Sequence, residues 1–316
     1  MLAAWLQALD FIIDRVSSSN EPILHHVASP IRALLLMLAP LPALIVGVLV
    51  MQRSGVNPAI WKQQLAAGLT LIILCTGLRV ARRTTWRSRP WVWAIAGSAA
   101  LLLLISSLLH PGVEGVRRWV YLGPLQLHAA FVALPVLIIV VSEIVRRDIL
   151  RSATWILPCA LATAAGVLML QPDASQASAF AVAMAAVLFQ RTTAYRSYWI
   201  AGGIVIACAM LALLRPDTLD PVPHVEGIVS LAASAGAAWF ISAVLALVLL
   251  PIPFIADAVK RRERGRESVA LAAYFGIVCI ASLLESYPVP LLGYGLSPML
   301  GYFAELRVDH FERCAG

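Results

Sequence analysis

Charge is scarce in this 316-residue chain: 13% of its residues are Asp, Glu, Lys or Arg, against 60% hydrophobic ones. With a mean hydropathy of +0.84, that scarcity excludes a soluble domain of this length and indicates an integral membrane protein. Cysteine is scarce as well. Cys75, Cys159, Cys208 and Cys279 fall inside apolar runs and Cys314 lies in the terminal tail, so they read as packing residues, with no disulfide framework or redox pair. No His, Cys, Asp or Glu set has metal-ligand spacing, so neither a metal centre nor a resident cofactor is expected. Internal repeats and charges at mid-membrane depth, which a transporter would show, are not evident. A cleaved signal peptide would need a basic start and a small-residue cleavage site, and the two acids in the first run, Asp10 and Asp14, argue against one. The net charge of +7 comes mainly from Arg placed beside apolar runs, which is a topology signal and implies no nucleic-acid partner.

What the chain does have is a succession of apolar segments. Residues 1–28 form an expected interfacial helix, with Leu2, Trp5, Leu6, Leu9, Ile12, Ile13 and Val16 on one face and Gln7, Asp10, Asp14 and Arg15 turned away. Residues 29–316 form the transmembrane domain. Its spans are expected near 31–51, 64–80, 90–109, 127–145, 152–170, 174–190, 197–214, 228–250, 269–285 and 291–306, long enough to cross about 30 Å of hydrocarbon. The predicted fold is therefore an all-α polytopic membrane protein of about ten helices. Arg79, Arg82, Arg83, Arg87 and Arg89 follow the second span, Arg146, Arg147 and Arg151 the fourth, and Arg191 and Arg196 the sixth. Lys260, Arg261, Arg262, Arg264 and Arg266 follow the eighth. The positive-inside rule then predicts cytoplasmic termini and outward-facing odd-numbered loops.

Those outward loops carry most of the remaining polar chemistry. They hold Arg117, Arg118 and Trp119; Gln171, Pro172 and Asp173; Asp217, Asp220, His224 and Glu226; and Glu285, Tyr294 and Gly295. A guanidinium pair beside an indole suits an interfacial anion, although the same residues also fit a plain interfacial anchor. Asp173 fits a cavity carboxylate and equally the N-cap of the next span. His224, alone beside Pro223, fits a proton relay and equally an ordinary loop residue. Pro288, Pro290 and Gly295 predict a re-entrant turn, and Glu143 a local ion pair with Arg146 and Arg147. Glu285 is expected to pair with Arg117 or Arg118, or to cap toward solvent. Arg118, Trp119, Asp173 and Glu226 are expected to approach one outward-facing cavity.

In this order the motifs resemble the shape, elongation, division and sporulation family, the FtsW/RodA/SpoVE group. The resemblance rests on Arg118-Trp-Val-Tyr-Leu-Gly123, Gln171-Pro-Asp173 and Pro288-Val-Pro-Leu-Leu-Gly-Tyr294-Gly-Leu-Ser297, and it covers most of the chain. It implies a multi-pass protein of the bacterial cytoplasmic membrane that polymerises peptidoglycan strands from lipid II or a related undecaprenyl-linked precursor, in cell division or shape control. It also implies a transpeptidase-type partner and is compatible with a transient divalent cation on the substrate pyrophosphate. Glycosyl transfer needs a base for the acceptor hydroxyl and positive charge for the departing pyrophosphate. Glu226 and Asp173 are the candidate catalytic carboxylates, and Arg117, Arg118, Trp119, Gln171, His224 and Tyr294 the candidate substrate-binding residues.

The chain also departs from the family pattern. Where the family carries Gln-Pro-Ser-Glu and then Lys, this sequence has His128-Ala-Ala-Phe131 and Leu134. Tyr121 replaces an Asp, and Ser175-Gln176 replace Gly-Thr. The fourth outward loop is cut to about a dozen residues, Arg215 to Glu226, and Glu226 stands in for the family's Asp. Three classes follow: a lipid-linked glycosyltransferase, a catalytically degenerate scaffold that binds a cell-wall synthesis partner, and a lipid-carrier transporter.

Overall fold

The computed structural model describes residues 38–81, 90–123, 125–150, 153–189, 195–215, 219–261, 265–284 and 287–308. The expected interfacial helix of residues 1–28, Asp217, Glu285 and most of the loop arginines lie outside these residues. The helices are α1 (Leu41–Arg53), α2 (Pro58–Ala81), α3 (Pro90–Ser107), α4 (Ala129–Arg147), α5 (Ile156–Leu170), α6 (Ala174–Leu188) and α7 (Arg196–Leu213). They continue as α8 (Ile228–Ala235), α9 (Ala237–Leu249), α10 (Ile252–Arg261), α11 (Arg266–Ala281) and α12 (Leu296–Val308). Each of the ten expected spans contains helix. Among the described residues six stretches are long and apolar enough to cross a membrane: α2, α3, α4, α7, α9 running on into α10, and α11 with the short turn that follows it.

The burial pattern decides which helices are central. Helix α4 is apolar on every face from Ala129 to Val141, and 78% of its membrane-length stretch is buried, against 22% for α2 and for α3. It packs against α3, α6, α11 and α12, while α6 also packs on α7 and α11, and α5 on α7. The outer helices present large apolar side chains outward, among them Ile73, Leu102, Trp199, Met210 and Ile241, as a surface facing hydrocarbon does. Close approach is provided by small residues: a Cβ at Gly301 of α12 would collide with the Phe131 carbonyl of α4, and one at Gly47 of α1 with the Leu292 carbonyl.

The structure refines the expected boundaries where local chemistry overrides hydropathy. Helix α2 starts before the apolar run because Asn57 Oδ1 accepts the Ala59 N–H (2.9 Å) and Pro58 opens the helix. The fourth span begins two residues late because Leu125–His128 pairs as a strand with Trp119–Leu122, making a hairpin that periodicity did not predict. The pairs are Trp119 with His128, Val120 with Leu127, Tyr121 with Gln126 and Leu122 with Leu125, and Gly123 takes the positive φ (+61°) of the tight turn. The eighth apolar run is broken between α8 and α9 at Gly236, whose φ of +126° suits only glycine. Glu143 makes the local ion pairs expected of it, 2.7 Å from Arg146 Nη2 and 2.6 Å from Arg147 Nε.

Candidate functional site

At the hairpin end of the helices a cavity of about 610 Å³ is lined by four stretches far apart in sequence. Gln63 and Gln64 come from α2, Glu114 from the turn that precedes the hairpin, and Trp119, Gln126, His128 and Phe131 from the hairpin and the start of α4. Asp220, Val225 and Glu226 come from the loop before α8, and Tyr294 and Ser297 from the turn before α12.

That last turn is held from below by a buried amide. Gln64 Nε2 donates to the carbonyls of Gly293 (2.8 Å) and Leu291 (3.2 Å), and its Oε1 accepts the Gly295 N–H (3.0 Å). Tyr294 donates its N–H to the His224 carbonyl (2.8 Å) and its hydroxyl to Gln63 Oε1 (2.9 Å), so the turn also fastens the Glu226 loop to α2. The helix breakers of Pro288–Gly295 thus form an irregular segment with polar backbone groups satisfied by protein, which is how irregular backbone is tolerated within a membrane protein.

Of the residues expected from sequence, Glu226, Trp119 and Tyr294 line the cavity. Glu226 is half-buried and its Oε2 accepts the Val222 N–H (2.9 Å). Burial pushes its carboxyl above the usual range, against the opposing pull of that hydrogen bond and of the nearby Arg118 and His128.

Arg118 and Asp173 do not line the cavity; they sit behind its wall, 3% and 0% exposed. Arg118 Nη2 donates to the Pro172 carbonyl, and its Nε lies 4.0 Å from Asp173 Oδ2. Asp173 caps α6 through Oδ1, which accepts the Gln176 N–H (3.2 Å) and the Ser175 hydroxyl (3.0 Å). Its Oδ2 lies 3.2 Å from Nε2 of His128. Burial alone would raise the Asp173 carboxyl, but Arg118, His128 and the Gln176 N–H outweigh it and hold the pKa at about 2. Asp173 is therefore both an N-cap and a buried anion touching a cavity residue.

The other three play different parts. Gln171 is fully buried and donates to Ser107 Oγ (2.5 Å), tying the end of α5 to that of α3. His224 lies behind Tyr294 with ring centroids 6.0 Å apart, and burial lowers its pKa. Arg117 is exposed and donates to the Leu108 carbonyl (3.3 Å).

Sequence reasoning missed His128, Gln63 and Gln64. The two glutamines carried a readable signal, adjacent amides at the start of an apolar span, where an unpaired polar group is costly. Among the described residues no three His, Cys, Asp or Glu side chains are grouped to hold a metal ion.

The sequence model of the FtsW/RodA/SpoVE family, described as cell cycle protein, matches residues 29–222. No curated protein sequence matches the chain. Among solved structures, the rod shape determining protein RodA of Thermus thermophilus is similar, with a TM-score of 0.63 and 22% identity over 87% of this chain and 95% of that one. An Asp-to-Ala mutant of the same protein gives 0.64 and 22%, covering 87% and 96%. A chain from a study of how a peptidoglycan synthase complex coordinates polymerization and crosslinking gives 0.62 and 20%, again covering 87% and 96%. At this identity the structures establish a shared fold, and the sequence match establishes the family: the chain belongs to the FtsW/RodA/SpoVE family of polytopic membrane proteins.

Proposed function

We propose that this protein is a bacterial cell-wall synthesis protein that extends glycan strands from a lipid-linked disaccharide, lipid II or a related undecaprenyl-linked precursor, in the cavity at the hairpin end. In this reading it sits in the cytoplasmic membrane with both termini cytoplasmic and works with a transpeptidase-type partner. The observation that carries it is a cavity, in this family fold, with an acidic side chain on its wall: Glu226 faces the space in which an acceptor sugar hydroxyl would lie. The acceptor oxygen bonds to the anomeric carbon of the donor while its proton passes to a base at the cavity wall, the bond from that carbon to the pyrophosphate oxygen breaks, and the lipid pyrophosphate leaves with the electron pair. Glu226 accepts a hydrogen bond from the incoming hydroxyl and orients it.

One observation favours a scaffold instead. The cavity wall carries no Lys or Arg among its described residues, and Phe131 and Leu134 occupy apolar positions along α4. In an assay of lipid II polymerisation by the purified protein with its partner, Glu226→Gln should lower kcat/KM at least about tenfold while folding is kept, the amide being nearly isosteric. A wild type that binds its partner and extends no glycan would replace the enzyme by the scaffold.

A further inference from the structure

His128 lines the cavity, although its side chain is 6% exposed. Its backbone N–H donates to Ser297 Oγ (2.8 Å), and its ring is held edge-on between Trp119 and Phe131, with centroids 6.1 and 5.1 Å away. Nε2 is 3.2 Å from Asp173 Oδ2, whose partner oxygen is already occupied by Gln176 and Ser175. Both ring nitrogens are buried without a hydrogen bond among the described residues, and Nε2 and Asp173 Oδ2 meet as a close charge contact and not as an aligned hydrogen bond. A buried carboxylate this close to Nε2 favours the proton on that nitrogen, which leaves the lone pair on Nδ1. The charged groups around the ring are Asp173, Arg118 on the far side of Asp173, and Glu226 from the loop before α8.

We propose that His128, oriented by Asp173, is the proton acceptor of the cavity. This rests on the glycosyl-transfer reading above. As the acceptor oxygen attacks the anomeric carbon, its proton passes to Nδ1, the bond to pyrophosphate breaks, and the imidazolium so formed is stabilised by the Asp173 carboxylate. Glu226, with one oxygen already engaged by its own turn, orients the hydroxyl and does not receive the proton. Asp173 is a positioning residue: it touches the imidazole and not the substrate.

The test compares wild type, His128→Gln and Asp173→Asn in single-turnover polymerisation of lipid II between pH 5 and 9, with the protein in its partner complex. Wild type should show a rate that rises with pH along one limb. His128→Gln should lose the limb and at least a hundredfold in rate. Asp173→Asn keeps the α6 cap, because Asn caps as well as Asp, but turns the ring toward the wrong tautomer. It should lose on the order of 10²- to 10⁴-fold in kcat with little change in KM. Because Asp173→Asn is the gentler change, it keeps the test decisive if His128→Gln fails to fold. Unchanged rates and limb in either folded variant, beside an active wild type, would overturn the proton-acceptor role and leave glycosyl transfer standing. A wild type inactive in the intact complex would overturn both.

Discussion

At the residue scale, Asp173 takes one of its two readings outright and displaces the other. The N-cap was legible, because Asp after Pro at the start of an apolar run is a capping signal, whereas the carboxylate lies behind the cavity wall and not on it. What the sequence could not show is that the two oxygens divide the work, Oδ1 capping α6 and Oδ2 facing Arg118 and His128. His128 was illegible for a related reason: one histidine at the edge of an apolar run has no periodic partner, and its contact with Asp173 exists only in three dimensions. A consequence for stability follows. The Asp173 carboxyl moves from an ordinary 3.8 to about 2 on folding. A depressed folded pKa means stability that is complete above about pH 4 and fades as pH falls toward 2, worth about 2 kcal/mol. Thermal melting of the purified protein in detergent should therefore show an acid-sensitive component between pH 4 and 2 that Asp173→Asn lacks. Identical acid profiles would show that the carboxylate does not carry this linkage.

At the element scale, the long helices were legible because length and hydropathy alone dictate them. The hairpin was not, since each strand is four residues long and alternates too briefly to be told from loop. The eighth segment read as one span because a single glycine interrupts little hydropathy, whereas its φ ends the helix outright. The turn before α12 was expected from its prolines, but its anchor was not, because Gln64 lies more than 220 residues upstream. Gln64→Leu would orphan the Leu291, Gly293 and Gly295 backbone groups together, at about 1–3 kcal/mol for each buried group left unpaired. The expected outcome is a melting temperature lower by several degrees and faster proteolysis within Pro288–Gly295, read by mass spectrometry of the fragments. A wild-type cleavage pattern would mean that the turn stands without its anchor.

At the scale of the whole molecule, the order of apolar runs and the three motifs identified the family fold, and the cavity was foreseen as a meeting place of loops. Its composition was only partly foreseen. Trp119, Tyr294 and Glu226 are on the wall, Arg118 and Asp173 are behind it, and Gln171, His224 and Arg117 take other roles. Hydropathy tells which loops share a membrane face but not which side chains turn inward. Reporter fusions at the exposed turns Gly55, Glu114 and Asp220 should all report the outer side, as the arginine alternation predicts. A cytoplasmic signal at any of them would invert or break that topology.

The Gln64 anchor also sets a schedule. Its three backbone partners are 227 to 231 residues downstream, and at ribosomal rates of roughly 5–20 residues per second they emerge roughly 10–50 s after it. For that interval α2 must wait at the insertion machinery, or in lipid with its amide unsatisfied, until the Pro288–Gly295 turn arrives to close the cavity. The site therefore cannot exist before that turn is made, and any translational pause between α2 and Pro288 prolongs the exposure of the least apolar of the six long apolar stretches.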